Sequence, residues 1–185
     1  MQFKNLIPAI LVALFISAPT FANDNTNPKD TKVTVTEDKT IVGVAAGNDN
    51  FSTLVAAVKA AGLVDVLNGN GPFTVFAPVN AAFDKLPDGT VGNLLKPENK
   101  NLLTAILTYH VVAGKFNAKE VVKAIKANNG KFVIKTVQGG ELTASMSKGN
   151  VILTDAKGNT SKVIITDVKA SNGIVHAIDS VVMPK

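Results

Sequence analysis

Helical spacing of apolar residues stops for good at Asn129-Gly130, and that change limits the fold more than any other feature. Before it, apolar positions recur at helical spacing: Phe51, Leu54, Val55 and Val58 in one segment, and Leu103, Ile106, Leu107 and His110 in another. After it come five short runs of strand composition, Phe132 to Val137, Glu141 to Met146, Val151 to Thr154, Val163 to Val168 and Ile174 to Val182. Gly139-Gly140, Lys148-Gly-Asn150, Lys157-Gly-Asn159 and Ser171-Asn-Gly173 separate them and fit tight turns. Helices first and hairpins second define an α+β protein, because a parallel sheet needs strand and helix in alternation.

A strand is expected well ahead of the hairpins. In Gly71 to Leu86, Gly71-Pro72 punctuates, Phe73 to Phe76 has strand composition and Pro78 ends it. Asn80 is expected to cap a short helix that carries Phe83 inward. Two further stretches are expected to pack against this one: the run ending Leu107-Thr-Tyr109-His110-Val-Val, and Asn172-Gly-Ile-Val-His176-Ala-Ile-Asp179-Ser-Val-Val-Met-Pro184.

The remaining helices announce their ends. Ile41, Val42 and Ala45 suit a short helix closing at Gly47, and the next begins after Asp49-Asn50, either of which can cap it, and stops at Gly62. Leu63 to Leu67 reads as one more turn, Leu94 and Leu95 sit in a helical region, and a longer helix has Pro97 near its first turn. Tyr109 to Val112 also reads as the start of a strand closing at Gly114. Asn117 and Glu120 have capping-box spacing, with Val121, Val122 and Ile125 as the buried stripe of the helix that follows.

The first 22 residues pair Lys4 with the apolar run Leu6 to Ile16 and the small-residue site Thr20-Phe21-Ala22, the layout of a secretory signal cut before Asn23. The run is shorter than the roughly 20 residues a membrane span needs. Residues 23–39 are polar and read as a flexible lead-in, in which Val33 and Val35 could add an edge strand; the domain proper covers 40–185. The expected location is therefore secreted or periplasmic. Cysteine is absent, which removes thiol catalysis, thiolate metal sites and lipid attachment through Cys, and the Val182-Met-Pro-Lys185 end lacks the apolar tail of a GPI signal. Neither a membrane span nor a lipid anchor is expected.

All 19 basic residues are lysine, against 14 acidic ones. Dispersed lysine reads as a solubility device, or as a weak attraction to anionic polysaccharide or lipid headgroups. Nucleic acid is not an expected partner, because the forked guanidinium of Arg is missing and aromatics are few.

Catalytic patterns are weak. Ser145-Met-Ser-Lys148 has Ser-x-x-Lys spacing, but it falls where a strand runs into a hairpin, so the lysine cannot sit one helical turn after the serine. His110 and His176 are the only histidines, each within an apolar run. Asp179, three residues from His176, would point to the opposite face of a strand, which argues against shared metal coordination. No catalytic residue, metal site or cofactor is expected.

Thr74-Val-Phe-Ala-Pro-Val-Asn80-Ala-Ala-Phe83, Leu107-Thr-Tyr109-His110-Val-Val and Asn172-Gly-Ile-Val-His176-Ala-Ile-Asp179 together resemble the first box, the Tyr-His motif and the second box of the fasciclin domain. Asn50 to Leu63 is similar to the family's opening helix, and Val79 stands where Thr is common. The resemblance implies an α+β fold, a β-wedge of two sheets flanked by helices along one edge. It also implies a non-enzymatic adhesion or matrix-interaction module, with a cell-surface or matrix protein or polysaccharide as partner and self-association as a further possibility. Asn80, Phe83, His176 and Asp179 would tie the two boxes to the core. Tyr109 and His110 match the motif implicated in receptor binding in animal members and are the candidate binding residues, although their apolar flank points to a buried structural role. The alternative implied by the family is an extracytoplasmic carrier of an apolar small molecule such as a carotenoid.

Overall fold

The computed structural model describes residues 39–87 and 89–185. The expected signal sequence, the lead-in up to residue 38 and its edge strand lie outside the described residues. Four helices precede or follow the first strand closely: α1 (Ile41–Ala46), α2 (Ser52–Ala61), α3 (Val64–Leu67), then β1 (Phe73–Pro78) and α4 (Asn80–Phe83). Next come α5 (Thr90–Leu94), α6 (Lys100–Tyr109), the short β2 (Val111–Ala113) and α7 (Ala118–Ala127). The second half is β3 (Lys131–Lys135), β4 (Glu141–Ser147), β5 (Asn150–Thr154), β6 (Thr160–Ala170) and β7 (Gly173–Ile178).

The three stretches that resemble family motifs lie side by side. β1 pairs antiparallel with β2, with Thr74 opposite Val112, and parallel with β7, with Phe73 opposite Gly173. The full order is β2-β1-β7-β6-β5-β4-β3, a seven-stranded series. Its two halves share β6, whose first residues, Thr160 to Lys162, pair with β5. From Val163 onward β6 pairs with β7 through two register shifts. Such bulges add local twist, so one long strand can serve two differently directed halves. A bridge between Val112 and Thr136 brings the chain after β3 back to β2.

Alternation along the central strands divides the interior in two. Val75 and Ala77 of β1 and Val175 and Ala177 of β7 face a core built with α1 to α6, including Phe51, Leu54, Phe83, Leu103 and Leu107. Phe76 and Ile178 face the other way, into a core with Val121 and Ile125 of α7 and Ile134, Leu142 and Leu153 of β3 to β5. The helical half therefore rests on one face of the central strands and the hairpin half folds over the other.

Several local readings hold, and two need correction. α2 ends at Gly62 in the left-handed conformation, φ 72°. Asn117 and Glu120 form the full capping box at the start of α7. Asn80, however, does not cap its own helix: Val79 holds the N-cap position of α4 and makes no side-chain cap bond. Nor do Asp49 or Asn50 cap α2, whose N-cap position is taken by Phe51, again without a side-chain bond. The two corrections have a common cause. A helix that starts behind a phenylalanine leaves amide donors unserved, and the Asn80 carboxamide crosses over to serve one of them, the Thr53 N–H.

Candidate functional site

Asn80 Oδ1 accepts from the Thr53 backbone N–H at 3.1 Å, in the first turn of α2. Its Nδ2 donates to the Asp49 carbonyl at 2.8 Å and to Ser52 Oγ at 2.9 Å. One side chain thus caps a helix 27 residues upstream and ties β1 to the helical layer. Phe83, one helical turn on, is buried in the helical core.

Tyr109 and His110 stand where α6 gives way to β2, and both are fully enclosed, at 0% and 1% exposure. The Tyr109 hydroxyl donates to the Glu141 carbonyl and accepts from the Ala156 N–H at 3.1 Å, fastening the helix end to the hairpin half. His110 Nδ1 donates to the Ile106 carbonyl at 2.8 Å, so Nε2 is the free acceptor and takes the Val182 N–H at 3.2 Å. Burial pushes the His110 imidazole down to about 4, outweighing the upward pull of the Ile106 carbonyl and the Asp155 charge. The ring is neutral, with both nitrogens engaged.

His176 lies in β7 and stacks on Phe76, ring centroids 5.6 Å apart. Its Nε2 donates to the Phe116 carbonyl at 2.8 Å and its Nδ1 accepts from the Asp167 N–H at 3.2 Å, the opposite tautomer to His110. Burial lowers this imidazole as well, against the Phe116 carbonyl and the Asp167 charge. Asp179 follows the end of β7 and faces elsewhere. It accepts from the Lys162 N–H at 2.8 Å and from Ser180 Oγ at 3.1 Å, and pairs with Lys85 at 3.3 Å. Burial works to raise its carboxyl; the Lys162 N–H, Lys85 and Ser180 outweigh it and hold the group below the usual carboxylate range. His176 and Asp179 thus serve separate contacts.

Three polar residues carry tertiary contacts without having been singled out in the sequence. Asn172 Oδ1 accepts from the Ile41 N–H at 2.9 Å, while its Nδ2 donates to the Leu67 and Gly69 carbonyls at 2.7 and 3.0 Å. Asp155, 5% exposed, accepts from the backbone of Lys157, Asn159 and Met183 and from the Asn159 side chain. Its burial tends to raise the carboxyl, and those donors hold it below the usual range instead. Thr74 Oγ1 donates to the Gly114 carbonyl at 2.7 Å and accepts from the Phe116 N–H at 2.9 Å. In the sequence Asn172 and Asp155 look like ordinary turn residues, and the Asp-x-Lys-Gly-Asn spacing was the one available sign that Asp155 organises its hairpin.

Ser145 lies on β4 and Lys148 in the turn after it, so the spacing needed for a serine and lysine to work together does not arise. Among the described residues no buried side-chain nitrogen or oxygen lacks a hydrogen-bond partner, and no three His, Cys, Asp or Glu side chains gather as metal ligands would. No helix among them is long and apolar enough to cross a membrane.

Two cores, a central β2-β1-β7 trio, and polar side chains spent on joining one segment to another define a packed module of the fasciclin type. The Fasciclin domain family model matches residues 49–184, and the chain belongs to that family. It is 53% identical over 145 residues to "Protein sll1483" of Synechocystis, covering 78% of this chain and 73% of that one. It is 37% identical over 149 residues to the cell surface glycolipoprotein MPB83 of Mycobacterium bovis, covering 78% and 60%. Its fold matches a FAS1 domain pair from the insect cell adhesion molecule fasciclin I with a TM-score of 0.68 at 21% identity, over 77% of this chain and 50% of that one.

Proposed function

We propose that the protein is an exported, non-catalytic binding module that attaches to a cell surface or matrix through its outer face. In this reading residues 1–22 are removed on export, residues 23–39 form a lead-in, and 40–185 are the working domain. One observation carries it: the polar side chains of the three motifs, Asn80, Tyr109, His110, His176 and Asp179, are all engaged in bonds within the chain. A group already bonded on each side has no capacity left for a substrate, whereas the outer surface is free to meet a partner. The related proteins named for a cell surface and for cell adhesion agree with this assignment.

The carrier alternative draws less support. The apolar space between α1, α2 and the central strands, lined by Ile41, Leu54, Val58, Val75, His110 and Val175, measures about 30 Å³. Pockets that hold drug-sized ligands run to roughly 300 Å³ and more. Two hollows of that size, about 470 Å³ beside Tyr109 and about 310 Å³ beside α1 and α2, are open and bordered by polar and charged side chains, Gln138, Glu141 and Lys185 in one and Asn48, Asp49 and Lys59 in the other. Tyr109 and His110 are read here as structural.

The test is saturable binding of the purified protein to the envelope of cells that produce it, with Tyr109→Phe and His110→Gln beside the parent. The expected result is a lower unfolding midpoint with binding retained. Folded variants that no longer bind would return Tyr109 and His110 to the binding role. Absence of any envelope binding, or a pigment or lipid extracted with the native protein, would overturn the module reading.

A further inference from the structure

The lysines look scattered in the sequence, yet positive charge is concentrated in one part of the fold. Residues 115–135 hold six lysines and one glutamate, while the rest of 39–185 holds ten lysines and nine acidic residues. Within that segment Lys119, Lys123 and Lys126 recur at i, i+4 and i+7 on α7, a single stripe about 10 Å long on the helix. The buried stripe, Val121 and Ile125, occupies the other side of the helix and is spent on the core. Lys115 precedes the helix; Lys131 and Lys135 follow it on β3, the end strand of the series. All six are exposed, and none is joined to an acidic group by an ion pair among the described residues.

The acidic groups nearby are few and placed at its margins. Glu120 is turned back onto the Asn117 N–H in the capping box, and Asp167 accepts from the Ala118 N–H at the same end of the helix. Glu141 lies opposite Lys135 in the β3–β4 register. The last two turns of α7 and the start of β3 are left strongly positive.

We propose that the exposed face of α7, continued by Lys131 and Lys135, is the docking surface of this module, and that its occupant is an acidic polysaccharide. The assignment rests on the binding-module reading above and supplies the partner's chemistry. A row of flexible ammonium groups matches repeated carboxylates along an extended chain, each pair weak and the row additive. A membrane surface would call for a broad apolar area among the lysines; Val121 and Ile125 of α7 are spent on the core, and Val133 is the one large apolar side chain exposed on α7 and β3. Nucleic acid would call for arginine forks and exposed stacking aromatics; the chain has no arginine, and Phe116 and Phe132 are half-buried against the core.

The experiment is affinity electrophoresis of the purified protein at low salt through gels containing polygalacturonate or neutral dextran. Anionic phosphatidylglycerol vesicles and duplex DNA are compared in parallel binding assays. K119Q/K123Q/K126Q is set against K59Q/K96Q/K100Q, which removes equal charge from exposed positions in the helical half. The expected result is retardation by polygalacturonate and not by dextran, weakened about tenfold in the α7 variant and less than about twofold in the control. Both variants must melt like the parent, and their exposed positions make that the expected outcome. Equal weakening in the two variants, no retardation of the parent, or tighter binding to the vesicles or the DNA than to polygalacturonate would each overturn the proposal. Retention on producing cells separates the two readings. If the α7 variant is retained as well as the parent, this surface is wrong and the module reading stands; if the parent itself is not retained, the module reading falls.

Discussion

The Asn80 carboxamide caps a helix to which it does not belong, with Oδ1 3.1 Å from the Thr53 amide nitrogen. Losing an N-cap bond costs about 0.5–2 kcal/mol. Asn80→Ala also strands the Asp49 carbonyl and Ser52 Oγ, so the expected loss is about 2 kcal/mol, read from urea unfolding. Asn80→Asp keeps the acceptor and loses both donors, and should fall between the two. An Ala variant as stable as the parent would remove this residue from the account of how α2 starts.

Asn172→Ala deletes three bonds that hold the turn before β7 to α1 and α3. With two carbonyls and one amide left without protein partners, about 2–3 kcal/mol should go. Hydrogen exchange should report the change locally, with faster exchange at Ile41 and in the α3 segment.

Gly173 sits opposite Phe73, where a Cβ would overlap the Phe73 carbonyl oxygen and meet Ile41 Cδ1 at 2.9 Å. Backbone cannot step aside as a side-chain end can. Gly173→Ala should therefore destabilise by about 2–4 kcal/mol, or prevent folding, by forcing β1 and β7 apart. Gly130→Ala is a useful comparison, because nothing lies near its would-be Cβ and the cost there is only that of φ +85°.

Acid should weaken the protein before its carboxylates titrate. His110 has a folded value of about 4 against an ordinary 6.5, so the unfolded chain binds the proton more readily. Stability from this residue is complete above about pH 6.5 and is lost as pH falls toward 4, about 3 kcal/mol in all. His176 shifts the same way and adds to the loss. Asp155 and Asp179 are held below the usual range and stay charged through this window. Urea unfolding from pH 7.5 to 4.5 should show falling stability, with the slope reduced in His110→Gln; a flat profile would mean that the rings are not held neutral.

The β1 stretch and the strands after Asn129 were legible because strand composition and turn residues are local properties of the chain. So was the capping box at Asn117 and Glu120, whose two members lie within one helical turn. Asn80 was legible as a cap but not as the cap of α2, since Phe51 in the α2 cap position gives no hint of what replaces a side-chain acceptor there. The lysines of α7 form no run in the sequence, because they stand three or four residues apart and come together only when the helix winds.

By itself the sequence determined the α+β class, the order of elements and which faces are apolar, because each depends on spacing within about a dozen residues. Tertiary structure alone decided that β1 lies between β2 and β7, that Asn172 reaches α1 and α3, and that His110 and His176 adopt opposite tautomers. The long-range pairings behind these outcomes reach from 36 positions apart, Val75 opposite Val111, to 131, Ile41 with Asn172. A polar side chain's partner at that separation is set by which backbone groups the packed core leaves without a hydrogen bond, and no pattern within one segment encodes that.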